Sequence, residues 1–159
     1  MGLAFAPAIC RIRTQTLSRP KESHVIRHRI YCKIVKQMHT RTREQAGGPF
    51  RAALGELIYE LVGNKPSLGG AVKHSLAQVI VPYGTMSPRH YHRVLEETYF
   101  LLKGKARMII DGHEFALTPG EACLIMPGEV HQVFNDSEET LEFLVFCAPP
   151  WTADDFIEV

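Results

Sequence analysis

The chain has 159 residues, of which 45% are hydrophobic and 22% charged, and its net charge is +1. Those values suit one domain with a core of its own and lie far from a disordered composition. No apolar run reaches the roughly eighteen residues of a membrane span, and the four cysteines (Cys10, Cys32, Cys123, Cys147) form neither a close pair nor a C-x-x-C. A membrane anchor, a disulfide framework and a thiolate zinc site are therefore not expected, and free thiols in a reducing, cytoplasmic setting are.

The near-neutral total conceals a split. Residues 1–45 carry ten Lys or Arg against Glu22 and Glu44, whereas residues 46–159 carry eight against fifteen acids. The basic stretch reads as an extension with no fold of its own. Two other readings stay open: an organelle transit peptide, because the stretch is Arg-rich and acid-poor, or translation starting at Met38. Residues 3–9 are apolar but precede the basic residues, which argues against a secretory signal. The acidic remainder argues against nucleic acid as a partner, because phosphate contact needs clustered positive charge.

Gly47-Gly48-Pro49 marks a linker before the ordered part, residues 46–159. Residues 56–62 (ELIYELV) read as a strand, with a short helix as the alternative. Residues 64–70 form a loop, and 75–81 (SLAQVIV) a strand that ends at Pro82-Tyr83-Gly84. Residues 89–92 are extended, and 98–102 form an aromatic-rich strand that stops at Gly104. Residues 106–110 and 113–117 flank Asp111-Gly112, a two-residue hairpin signal because both turn positions need positive φ. Thr118-Pro119-Gly120 turns the chain toward 123–126, and Pro127-Gly128 separates that strand from 131–134. Residues 141–147 (LEFLVFC) close the set, and Pro149-Pro150 ends it, leaving an acidic tail over 151–159. Short strands punctuated by Gly and Pro predict an all-β sandwich or barrel. Tyr99-Phe100-Leu101-Leu102 is apolar on both parities. Both faces then need cover, one from the interior, the other from a second sheet, the N-terminal segment or a partner subunit.

His90 and His92 lie two apart on an extended segment, so both imidazoles point to one face. Glu97 follows His92 by five residues, an odd step that an unbroken strand would send to the opposite face. The chain is therefore predicted to turn between Arg93 and Glu96 and return Glu97 to the same cavity. His131, after the Pro127-Gly128 turn, can approach from another strand. Three imidazoles and a carboxylate can close around one divalent ion, and this mixed N/O set suits Fe, Mn, Co, Ni, Cu or Zn without selecting among them.

The spacing Gly84-x5-His90-x-His92-x4-Glu97-x6-Gly104, followed by Gly120-x5-Met126-x-Gly128-x2-His131-x3-Asn135, resembles the two sequence motifs of the cupin superfamily. One fixed position departs: the family has proline where Met126 stands, and Pro127 beside it is expected to keep the turn. The resemblance covers about residues 55–150. It implies a double-stranded β-helix, or jelly-roll barrel, with a metal in its mouth held by His90, His92, Glu97 and His131. It also implies a homodimer in which N-terminal strands cross between subunits, with residues 56–62 as the candidate; an ordinary intrachain strand is the other reading.

By strand alternation Tyr99 and Leu101 point inward with Glu97. Tyr99 is the candidate catalytic residue, able to donate a proton or hydrogen bond to a bound oxyanion; a packed aromatic is the competing role. Glu96, Arg89 and Arg93 read as solvated rim charges, and Gln132 as facing away from His131. Met108, Ile110, Ile125, Val133, Phe143 and Val145 are the other inward candidates, a lining that suits a small, partly apolar organic ligand. Two function classes follow: a metal-dependent enzyme of oxygenase or isomerase/lyase type, or a non-catalytic barrel that binds or senses a small molecule. No helix-turn-helix pattern accompanies the barrel.

Overall fold

Eleven strands build the fold in the computed structural model, which describes residues 41–159; the extension expected over 1–45 lies outside the described residues up to position 40. The strands are β1 (Phe50–Arg51), β2 (Leu57–Val62), β3 (Ser75–Val81), β4 (His90–His92), β5 (Glu96–Lys103), β6 (Ala106–Ile110), β7 (His113–Leu117), β8 (Ala122–Ile125), β9 (His131–Phe134), β10 (Leu141–Ala148) and β11 (Phe156–Glu158). They form a six-stranded sheet in the order β1-β2-β3-β10-β5-β8 and a five-stranded sheet in the order β11-β4-β9-β6-β7. All pairings between these strands are antiparallel. The described residues contain no α-helix and no helix long and apolar enough to cross a membrane. This is the double-stranded β-helix that the cupin resemblance implies, and the all-β barrel or sandwich that the turn pattern predicts.

Alternation explains where the core sits. In β10, Leu141, Phe143, Val145 and Cys147 are buried, while Phe146 and Ala148 face outward. Val79, Val81, Leu101 and Ile125 join them from the larger sheet, and Ala106, Met108 and Val133 come from the smaller one. Burying a side chain such as Phe143 contributes roughly 1.5–3 kcal/mol, so the facing rows supply most of what holds the layers together.

The turns follow their residues. Asp111 (φ 47°) and Gly112 (φ 82°) join β6 to β7 in the left-handed region that a two-residue hairpin requires. Gly104, between β5 and β6, has φ 81°, and a Cβ there would stand 3.0 Å from the carbonyl oxygen of Thr140. Asn135, which ends the second motif, is fully buried: its amide donates to the carbonyls of Val81 and Glu139, both at 2.8 Å, and its side-chain oxygen accepts from Ser137.

Some expectations shift. The strand read over 98–102 runs Glu96–Lys103, because β10 offers register partners from Glu96 to Leu101 and, past an irregularity at Leu102, for Lys103. The strand read over 123–126 is Ala122–Ile125, with Met126 already in the turn. The strand read over 56–62 is Leu57–Val62, which pairs with β3 and with β1. The tail after Pro149-Pro150 is not a tail: a 3-10 turn at Ala153–Asp155 leads into β11, which pairs with β4.

Candidate metal centre

Two sheets supply the centre. His90 and His92 stand on β4, and His131 stands on the neighbouring β9 directly opposite His90. Glu97 comes from β5 in the facing sheet, beside Cys147 of β10 and Ile125 of β8. The predicted turn after His92 carries the chain from one sheet to the other, which is how the five-residue step ends inside the same cavity. The candidate donor atoms of the four residues all lie within 4.8 Å of one another. Bonds of about 2.0–2.2 Å to a central ion would put donors about 3–4 Å apart, so only a small contraction separates this arrangement from a coordination shell. Each ligand is buried, with 1–5% of its surface exposed.

The imidazoles are oriented for this task. His90 Nδ1 lies 2.8 Å from the carbonyl oxygen of Pro88, His131 Nδ1 2.9 Å from that of Glu129, and His92 Nδ1 3.2 Å from that of Asp155. A carbonyl only accepts, so each Nδ1 carries the proton and donates. Nε2 of His90 and of His92 is thereby left as a lone-pair donor, the arrangement by which outer partners fix metal-binding histidines, while His131 Nε2 donates to Glu97 at 3.1 Å and would give up that proton to an ion. His92 Nε2 is buried and has no hydrogen-bond partner. A buried polar atom without a partner costs free energy, and a metal ion fits that atom: the three histidines and Glu97 suit a divalent transition metal.

The electrostatics agree. Burial, then repulsion from His131, pushes His90 down to about 4, so it is neutral at physiological pH. Burial alone would raise Glu97, but the hydrogen bond from His131 and the three nearby imidazoles outweigh it and hold the carboxyl below its ordinary value. Burial likewise opposes charge on His131, and the Glu97 carboxylate, 3.1 Å from His131 Nε2, wins and raises it. The Cys147 thiol donates to the other Glu97 oxygen at 3.6 Å. Burial, then the charge of Glu97, pushes that thiol well up, so it stays protonated.

The other residues singled out in the sequence fall as follows. Tyr99 is buried beside His131 (ring centroids 6.1 Å) and Phe143 (4.8 Å). Burial, followed by the charges of Glu97 and Glu56, keeps its phenol protonated. Met108, Ile125, Val133, Phe143 and Val145 are buried, and Ile110 packs half-buried against them. Arg89, Arg93 and Glu96 are exposed at the rim. Gln132 turns away from the centre and donates to the Ser87 carbonyl at 2.8 Å. Met126 leaves the turn intact: Glu129 N–H bonds to its carbonyl, and Gly128 N–H reaches the His92 carbonyl at 2.7 Å.

Two features had no place in the sequence reading. Glu56 is 6% exposed, and burial, then the charge of Glu97, raises it to about 7. It puts a second carboxyl within electrostatic reach of Glu97 and His131, read in the sequence only as the start of a strand. The other is the contact of β11 with the ligands: Phe156 stacks on His90 with ring centroids 4.4 Å apart and planes 26° apart.

Comparison with known proteins agrees with this architecture. The cupin domain family model matches residues 77–147. An uncharacterised protein of Methanocaldococcus jannaschii is 31% identical over 126 residues, which cover 79% of this chain and 95% of that protein. The quercetin 2,3-dioxygenase of Bacillus subtilis is 30% identical over 101 residues, 60% of this chain and 28% of the dioxygenase. Among solved structures, the oxalate decarboxylase of Bacillus subtilis, a protein with Mn(II) centres, superimposes with a TM-score of 0.61 at 25% identity over 70% of this chain and 30% of its own.

Proposed function

The chain belongs to the cupin superfamily, and from that premise we propose that it is a metal-dependent enzyme acting on a small organic molecule, by oxygenase or isomerase/lyase chemistry. The observation that carries the reading is the convergence of three imidazoles and one carboxylate in a buried pocket, with His92 Nε2 lacking a hydrogen-bond partner. The quercetin dioxygenase and the oxalate decarboxylase support it: one is an oxygenase and the other a decarboxylase, and both are similar to this chain over the barrel.

His90, His92, Glu97 and His131 would hold the ion. When bound, such an ion supplies Lewis-acid polarisation of a substrate oxygen or, if redox-active, activation of dioxygen. The remaining work falls to the chain's own groups. Tyr99 keeps its proton and can donate a hydrogen bond to an oxyanion of the substrate. Glu56, raised to about 7, can exchange a proton near neutral pH. Met108, Ile125, Val133 and Phe143 exclude water from the interior and favour a partly apolar ligand.

The test starts with metal content of the full chain purified without a metal-binding tag. The wild type is expected to carry about one ion per chain and His92→Ala none; stoichiometric metal in the His92→Ala protein would refute the site. Oxygen consumption with phenolic, keto-acid and thiol substrates then separates oxygenase from Lewis-acid chemistry. Tight ligand binding with no turnover in either format would place the protein among non-catalytic sensing barrels.

A further inference from the structure

We propose that the C-terminal strap, residues 152–159, is a positioning element of the metal centre, with Asp155 orienting His92 and the turn to Glu97, and Phe156 bracing His90. The proposal rests on the metal-centre reading above and adds residues outside the four ligands and outside the matched cupin segment, which ends at residue 147.

The three histidines are not held in the same way. His90 and His131 donate to carbonyls only two residues before them, so the chain leading into their own strands fixes them. His92 donates to the carbonyl of a residue 63 positions away in the chain, Asp155. Its ring orientation therefore depends on a distant segment being docked.

Asp155 does more with its side chain. One carboxylate oxygen accepts the backbone N–H groups of Arg93 and Val94, both at 3.0 Å, and the other accepts that of Leu95 at 3.1 Å. These are the successive amides of the turn that crosses between the sheets, where no ladder partner is available to them. A carboxylate on three N–H donors is a strong, charge-assisted arrangement. One residue thus fixes the His92 ring through its carbonyl and the path to Glu97 through its carboxylate. Beside it, Phe156 stacks on His90 and meets His92 edge-on, with ring centroids 5.9 Å apart. The strap is anchored beyond them by Val159 N–H on the Arg89 carbonyl at 3.0 Å.

Partners of this kind hold ligands in their binding orientation, and losing one typically lowers metal affinity about 10–100-fold. The probe is Co(II) alone, titrated into the full chain against a competing chelator, with its visible absorption spectrum as a second readout. Asp155→Ala is expected to bind Co(II) about 10–100-fold more weakly with an altered spectrum. Asp155→Asn, which keeps one oxygen acceptor and the backbone carbonyl, is expected to fall between, and Phe156→Leu to change the spectrum with a smaller loss of affinity. A purely structural strap would lower the melting temperature and leave the affinity and spectrum of the folded protein unchanged. That result in Asp155→Asn and Phe156→Leu, both conservative enough to fold, overturns the proposal while the metal centre stands. No Co(II) uptake by the wild-type chain overturns both.

Discussion

Replacing Glu56 by Gln removes one buried charge while keeping the side-chain shape. Glu56 is 6% exposed, and burial, then the Glu97 charge, lifts it from the ordinary 4.5 to about 7, with His131 opposing. A carboxyl held higher in the folded state than in the unfolded one binds its proton more tightly when folded. Its stabilising contribution is therefore complete below about pH 4.5 and is lost as the pH rises through about 7. The interval corresponds to about 3 kcal/mol, at 1.36 kcal/mol per pH unit. Urea denaturation of the metal-free protein, measured from pH 4.5 to 8 for the wild type and Glu56→Gln, reads this group together with its coupling to Glu97 and His131. The variant should gain on the wild type progressively, by about 3 kcal/mol in total, whatever constant offset the amide adds. A difference that stays flat across the range would mean that the Glu56 carboxyl is solvated, and the second-carboxyl argument would fall with it.

Cys147→Ala removes the thiol that donates to Glu97; Co(II) affinity should fall by about an order of magnitude, and Cys147→Ser, which restores a donor, should recover part of it. Equal affinity in all three proteins would show that the thiol does not orient the carboxylate. Gly104→Ala places a Cβ 3.0 Å from the Thr140 carbonyl oxygen at a residue with φ 81°. Thermal unfolding should register a loss of at least about 1–2 kcal/mol from the left-handed backbone alone, and an unchanged melting temperature would contradict the tight approach of that turn to β10.

The parts of this fold written locally were readable in the chain. Asp111-Gly112 can join two strands in few ways, and β6, β7, β3 and β9 have the ends that their turn residues announce. The candidate tetrad was readable for a different reason, its match to the two cupin motifs. A jelly roll fixes where β4, β5 and β9 meet, so spacing between His90, His92, Glu97 and His131 carries three-dimensional information. What escaped was decided by distant contact. Phe156–Glu158 is three residues long, follows two prolines and lies in acidic surroundings, so nothing in its own composition marks a strand. Its pairing with β4 makes it one. Glu56 escaped likewise: a single acid at a strand end is ordinarily solvated, and only the closure of the barrel buries it.

The division of the four ligands between the sheets has a mechanical consequence. Three donors belong to one layer and the fourth to the other, and elsewhere the layers meet mainly through apolar side chains. An ion held there would act as a rivet through both layers. It would join residues 90, 92 and 131 to residue 97, so neither sheet could peel away without surrendering the ion, and binding energy would be spent on cohesion as well. Ion affinity and the stability of the barrel would then be linked, each gained where the other is gained.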